Sequence, residues 1–242
     1  MRGCVLEVES LSAWYGAAQI LFGLTFSIRR GEAVALMGRN GAGKTTTLRS
    51  IMGLIPRREG TVRFLSEDIS SRRPFEIARR GIGFVPEDRR IFSDLTVLEN
   101  LDIGRQPARV QVDTGSSPSW SIEKVFATFP ILAEMRDRRG AHMSGGEQQI
   151  LTVARTLMGN PLLVLLDEPS EGVAPIIVEQ MVDTMLTLKK EGLSVLLSEQ
   201  NIHFAGLVCD RVYVLEKGQM QWEGAMGAFL SDEAAQRRLL SV

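Results

Sequence analysis

The sequence holds only two cysteines in 242 residues. Cys4 and Cys209 lie far apart and in no CxxC pattern, which argues against a disulfide framework and against a zinc site. Two free thiols in a reducing compartment are the simple expectation. Histidine is as scarce: His142 and His203 are the only two, and both read as surface or loop residues. No apolar run can span a bilayer, because the longest aliphatic one, Leu162 to Leu166, is far too short. Met1 to Ser10 carries Arg2, Glu7 and Glu9, so it lacks the apolar centre of a signal peptide. Neither sign of charge is in excess: the formal net charge is -1. A protein that coats many phosphates of a nucleic acid carries a basic surplus, and this one has no basic stripe. A nucleic-acid partner is therefore not expected, whereas a small phosphate ligand needs only a few oriented groups. No internal repeat is visible. Any work at a membrane requires another protein to hold the chain there.

What is present reads as an α/β core. Hydrophobic residues make up 44% and charged residues 24%, enough for a packed interior. Val34 to Met37, Leu162 to Leu166 and Leu193 to Leu197 are short, aliphatic and unalternating, as strands buried on both faces of a parallel sheet are. Lys44 to Met52 and Ile176 to Lys190 are helical stretches that follow the first two. That rhythm implies right-handed crossovers. Cys4 to Glu9 and Leu24 to Ile28 alternate more and predict an antiparallel edge. Residues 95–159 differ in texture: Thr96 to Gly104, Ile122 to Ala127, Ile131 to Arg139 and Gly145 to Met158 all read as helices. Gln106 to Ser119, rich in Pro, Ser and Gly, reads as a loop. One domain is expected, with an α/β core from residues 1–94 and 160–242 and a helical subdomain inserted between them.

Three motifs carry chemistry. Gly38-Arg39-Asn40-Gly41-Ala42-Gly43-Lys44-Thr45 fits GxxxxGK[ST], directly after a strand and opening a helix, the context that motif requires. Its glycines let backbone N–H groups turn towards phosphate oxygens, and the helix N-terminus adds partial positive charge. Lys44 is placed to neutralise the β- and γ-phosphates and the Thr45 hydroxyl to ligate Mg²⁺, with Thr46 following in the loop's helix. Second, Leu162 to Leu166 runs straight into Asp167-Glu168. Ligands of open α/β sheets sit beyond the carboxyl ends of the strands, so the pair lands beside the phosphate loop. Asp167 suits a Mg²⁺ shell and Glu168 suits orienting the attacking water. Alone, an acidic pair after an apolar run is also a common helix start. Third, Ser144-Gly145-Gly146-Glu147 precedes a long helix. A capping box between Ser144 and Glu147 explains two of these residues. Two glycines in a first turn cost up to about 1 kcal/mol each relative to Ala, which predicts a close approach to the backbone there. A serine hydroxyl on a bare helix N-terminus is an anion site.

GRNGAGKT, MSGGEQQ and LLVLLDEP, in that order, resemble the ABC ATPase family, and the resemblance covers essentially the whole chain. It implies a P-loop NTPase fold whose helical subdomain carries the SGGE motif. It implies ATP and Mg²⁺ as cofactors and ATP hydrolysis as the activity. It implies a head-to-tail dimer with a second ATP-binding subunit, homo- or heteromeric. In that dimer Ser144 and Gly146, with Gly145 and Glu147, clamp the ATP held by the partner's phosphate loop. It further implies docking on integral membrane permeases at the cytoplasmic face of the plasma membrane. Tyr15, in WYGAAQI, resembles the aromatic that stacks on adenine, and Ser170-Glu171 falls in the interface loop. GIGFVPEDRRIFSDLTVLENL, DEPSEGVAP and LLSEQN resemble more narrowly the ATPases of branched-chain amino acid importers and their urea or short-amide relatives. Two positions depart from the broad pattern. Glu87 stands where Gln is usual beside the metal, and Gln200 where a catalytic His is usual. Other classes fit less well. Soluble ABC ATPases of ribosomes or DNA usually pair two ATPase domains in one chain or carry a coiled-coil insertion, and a binding-only half would not need intact Lys44, Asp167 and Glu168.

Overall fold

The computed structural model describes residues 3–107 and 119–240. The chain opens with two long strands, β1 (Cys4–Tyr15) and β2 (Ala18–Arg29). Next come β3 (Ala33–Met37), α1 (Lys44–Ile51), β4 (Arg57–Phe64), β5 (Glu67–Asp68), α2 (Pro74–Arg80) and β6 (Ile82–Val85). Helices follow: α3 (Val97–Ile103), α4 (Ile122–Thr128), α5 (Pro130–Glu134), a 3-10 turn at Gly140–His142, and α6 (Gly145–Leu157). Then come β7 (Leu163–Asp167), α7 (Pro175–Lys190), β8 (Ser194–Glu199) and α8 (Ile202–Val208). The last elements are β9 (Arg211–Glu216), β10 (Gln219–Ala225), α9 (Met226–Ser231) and α10 (Glu233–Leu240).

These strands make two sheets. The larger has the order β10-β9-β3-β8-β7-β6, parallel except for the β10–β9 pair. The antiparallel pair expected at the N-terminus forms between β1 and β2 and belongs to a second sheet, ordered β2-β1-β4-β5. Every residue of β3, β7 and β8 is buried, and the two sheets explain why. Val34, Leu36, Leu163, Leu165 and Leu196 pack with α1 and the antiparallel sheet. Their chain neighbours Ala35, Met37, Val164, Leu166 and Leu197 pack against the helices on the other side. Both faces are apolar, so the alternation usual for a half-wet strand disappears. Each fully buried Leu or Val contributes about 1.5–3 kcal/mol.

Among the described residues, 97–157 contain helices and turns, as expected, but their interior is not separate. Val97, Leu101, Val125, Leu132, Ile150 and Leu157 join the same apolar cluster as the sheet's helical face. The helix expected over Ile131 to Arg139 stops early: α5 ends at Glu134. The run Arg136-Asp137-Arg138-Arg139 has no apolar face to bury. Its carbonyls instead accept from the open end of α3, Leu98 N to Arg136 O and Val97 N to Arg138 O, both 3.0 Å. Most of the expected Gln106 to Ser119 loop lies outside the described residues.

Candidate functional site

Strands β3, β8, β7 and β6 are parallel neighbours, so their carboxyl ends open on one edge of the sheet. These strand ends and the segments leaving them carry Gly38 to Thr45, Glu199-Gln200, Asp167-Glu168 and Glu87. A crevice at such an edge is where α/β sheets bind ligands. Here it is a cleft of about 410 Å³ lined by Tyr15, Ile20, Asn40, Gly41, Gly43, Lys44, Thr45, Thr46, Glu87, Glu168 and Glu171. Gly38 and Ala42 are buried and Arg39 is exposed.

The phosphate loop depends on its glycines where the backbone is tight. A Cβ on Gly38 would lie 2.4 Å from the Leu215 carbonyl oxygen, so no side chain fits there. Gly43 precedes α1 with φ of 107°, and the helix begins with neither a side-chain cap nor an acidic residue in its first turn. Its first N–H groups are left for an anion. Lys44 is buried and turned onto the loop: its Nζ donates to Gly38 O at 2.8 Å and Arg39 O at 3.1 Å. It also pairs with Glu168 Oε1 at 3.0 Å.

Thr45 and Asp167 meet across the cleft, with Thr45 Oγ1 donating to Asp167 Oδ1 at 2.9 Å. Burial pushes the Asp167 carboxyl up, against the pull of the Thr45 and Ser198 hydroxyls. Its Oδ2 is buried and has no hydrogen-bond partner. A buried carboxylate oxygen with no well-formed hydrogen bond, beside a threonine hydroxyl, fits a hard cation. Among the described residues no three His, Cys, Asp or Glu side chains gather to hold a metal alone, so a cation here needs further oxygens from a nucleotide and water.

Glu168 follows β7 in the left-handed region, with φ of 46°. Burial raises its carboxyl, but hydrogen bonds with Glu171 and Gln200 and the Lys44 ammonium outweigh burial, and the net shift is downward. Glu171 takes the opposite course: sharing a hydrogen bond with Glu168 raises it to about 7, helped by burial and by the charges of Glu168, Glu87 and Glu199. Gln200 joins three loops. Its Nε2 donates to Glu168 Oε2 at 2.7 Å and to Asn40 Oδ1 at 2.8 Å. His203 is an exposed residue of α8, and His142 is exposed in the 3-10 turn.

Ser144 to Glu147 do not line this cleft. The capping box forms: Ser144 N donates to Glu147 Oε2 at 2.6 Å and Glu147 N to Ser144 Oγ at 3.3 Å. The two glycines meet close neighbours within this chain. A Cβ on Gly145 would stand 2.7 Å from the Arg89 guanidinium, and one on Gly146 2.7 Å from Ile177. The close approach expected from the two glycines is present, and its partners come from the distant Arg89 loop and from helix α7.

The family follows from comparison with known proteins. Residues 21–171 match the ABC transporter family model. The chain belongs to the ABC transporter ATPases. Its relatives include the high-affinity branched-chain amino acid transport ATP-binding protein BraG of Pseudomonas aeruginosa, 40% identical over 94% of this chain and 96% of BraG. The lipopolysaccharide export ATP-binding protein LptB of Escherichia coli is 34% identical over 96% of this chain and 95% of LptB. Among solved structures, the ADP conformation of MJ1267, an ATP-binding cassette of an ABC transporter, superposes with a TM-score of 0.81 at 28% identity, covering 98% of this chain and 97% of MJ1267. This ABC ATPase therefore binds and hydrolyses ATP, and the cleft at the sheet edge is where its phosphate loop lies. Among the described residues no helix is long and apolar enough to cross a membrane.

A second depression, of about 480 Å³, lies between the α/β part and the helices, lined by Phe75, Phe84, Phe92, Ile103 and Arg155 among others. Phe92 is 48% exposed there. Its neighbour Ile91 instead packs with the helical cluster, its Cδ1 close over Gly140.

Proposed function

We propose that this ABC ATPase drives import of branched-chain or chemically related amino acids, as one of two ATP-binding subunits docked on membrane permeases. The observation that carries this reading is the 40% identity with BraG over nearly the full length of both chains. Cargo is not handled in the cleft, so the assignment of solute rests on that kinship.

In the cleft, Tyr15 is the adenine-stacking aromatic, and the loop Gly38 to Thr45 wraps the phosphates. Lys44 exchanges Glu168 for the β- and γ-phosphates. Thr45, Asp167 and Glu87 are the residues that would hold Mg²⁺, which would supply charge neutralisation on the phosphate oxygens. Glu168, once released by Lys44, orients a water and accepts its proton as the water oxygen attacks the γ-phosphorus and the bond to the β–γ bridging oxygen breaks. Gln200 donates an amide hydrogen to a γ-phosphate oxygen. Ser144 to Glu147, outside this cleft, serve the ATP of the second subunit. The groove holding Phe92 receives a permease helix at the cytoplasmic face of the membrane.

Co-expression with the permease subunits of the same transporter and reconstitution into vesicles tests the reading. ATP-dependent uptake of leucine, isoleucine or valine is expected. Uptake of urea or short amides in their place, or lipopolysaccharide movement, would refute the solute assignment while leaving the ATPase assignment intact.

A further inference from the structure

Glu199 is the last residue of β8 and is 2% exposed. No ion pair of Glu199 exists among the described residues, and none of the roles above uses it. Burial pushes its carboxyl up, opposed first by the Ser170 hydroxyl and then by the N–H groups that face it. Those groups come from two loops. Glu199 Oε1 accepts from Ser170 N at 3.0 Å. Oε2 accepts from Gln200 N and from Asn201 N, each at 3.0 Å. Three backbone donors face the two oxygens, with the Ser170 hydroxyl beside them, the arrangement that an ionised carboxylate satisfies and a carboxamide cannot.

The two loops joined in this way are those that follow Glu168 and that carry Gln200. A second tie runs beside the first: Glu168 N donates to Ser198 O at 3.0 Å. Gln200 stands just outside a helix, since Asn201 caps α8 and accepts from Phe204 N. Nothing in a regular element fixes its backbone. Yet its side chain spans from Asn40 to Glu168 at hydrogen-bonding distance.

We infer that Glu199 is a positioning residue for ATP hydrolysis, fixing the Gln200 backbone and the Ser170 loop so that the Gln200 amide is held between the phosphate loop and Glu168. This rests on the proposed role of Gln200. Glu199 does not line the cleft; it acts through the residue beside it. A carboxylate suits the task because one rigid group takes three N–H bonds from two strands' ends, and each charge-assisted bond is stronger than a neutral one.

The test is a double-mutant cycle in the purified full chain, read as phosphate release and fluorescent-ATP affinity. Glu199→Gln keeps shape but turns an NH₂ towards at least one backbone N–H. Turnover should fall about tenfold or more with nucleotide affinity unchanged, because a buried donor loses its acceptor. In a Gln200→Ala background the same substitution should cost little more. An equal loss in both backgrounds, or a loss of ATP affinity matching the loss of turnover, overturns the proposal. If Gln200→Ala alone leaves turnover untouched, the role of Gln200 fails, and with it the route assigned to Glu199. Should Glu199→Gln not fold, amide exchange in the wild type decides: the Ser170, Gln200 and Asn201 amides must exchange as slowly as those of β8. Fast exchange at these three amides refutes the tie.

Discussion

Replacing Glu168 by glutamine preserves volume and one acceptor oxygen while removing the charge. Two effects follow from the geometry, and they have opposite signs. The first concerns chemistry. A positioned base contributes about 10²–10⁴-fold, or roughly 3–5 kcal/mol of barrier, so phosphate release should fall by that factor. The second concerns binding. Lys44 is held by Glu168 Oε1 at 3.0 Å, with side-chain exposures of 3% and 7% for the two residues. ATP must draw the ammonium away from that carboxylate. A neutral amide holds it about 1 kcal/mol more weakly, which predicts ATP binding about fivefold tighter. Lys44 keeps its bonds to the Gly38 and Arg39 carbonyls, so the fold should survive the change. The mutant should also gather into ATP-dependent dimers on size exclusion, because bound ATP persists. Phosphate release timed against a fluorescent-ATP titration separates the two effects. Turnover near the wild-type rate would refute the role of Glu168, and unchanged affinity would refute the competition for Lys44.

Lys44→Ala removes the only full charge that the phosphate loop directs at the phosphates and should weaken ATP binding severely, with the thermal transition preserved. Gln200→Ala should lower turnover about a hundredfold, the cost of one preorganised donor, while His203→Ala changes little; a loss confined to His203→Ala would reverse the assignment. Glu171 is raised from 4.5 to about 7 by its hydrogen bond with Glu168, by burial and by neighbouring charge. The folded state then binds more protons than the unfolded one across that window, so stability should fall as pH rises from about 4.5 to about 7. Glu171→Gln should flatten that slope in thermal melts; an unchanged slope would refute the shared proton. Phe92→Asp should uncouple ATPase activity from transport in vesicles and leave basal phosphate release intact, whereas Ile91→Asp, in the helical cluster, should lower the melting temperature.

The phosphate loop was legible because every residue that builds it is contiguous and follows a strand that is apolar throughout. Asp167-Glu168 was legible for the same reason, since the run before it names its strand. The strand before Gln200 proved longer than its aliphatic run: Ser198 and Glu199 continue β8, because both are buried and paired despite their polarity. The role of Glu199 was therefore invisible. Its main partners are backbone N–H groups, which every residue but proline carries, and one of them lies 29 positions away. The bond from Gln200 to Asn40 spans 160 positions, so no local pattern could announce it. The glycines of the SGGE motif show a further reason. Sequence alone says that something comes close, but Arg89 and Ile177 become candidates only when the fold brings them there.

Glu168 holds its backbone at φ 46°, a conformation that costs a non-glycine residue roughly 1 kcal/mol or more. Glycine and, to a lesser degree, asparagine adopt it with little strain. Selection on foldedness alone would thus pull this position away from glutamate. In a duplicated copy relieved of hydrolysis, position 168 should drift early to glycine or asparagine, and the copy should gain stability as it falls silent. A glutamate maintained there is the signature of a lineage still under selection for turnover.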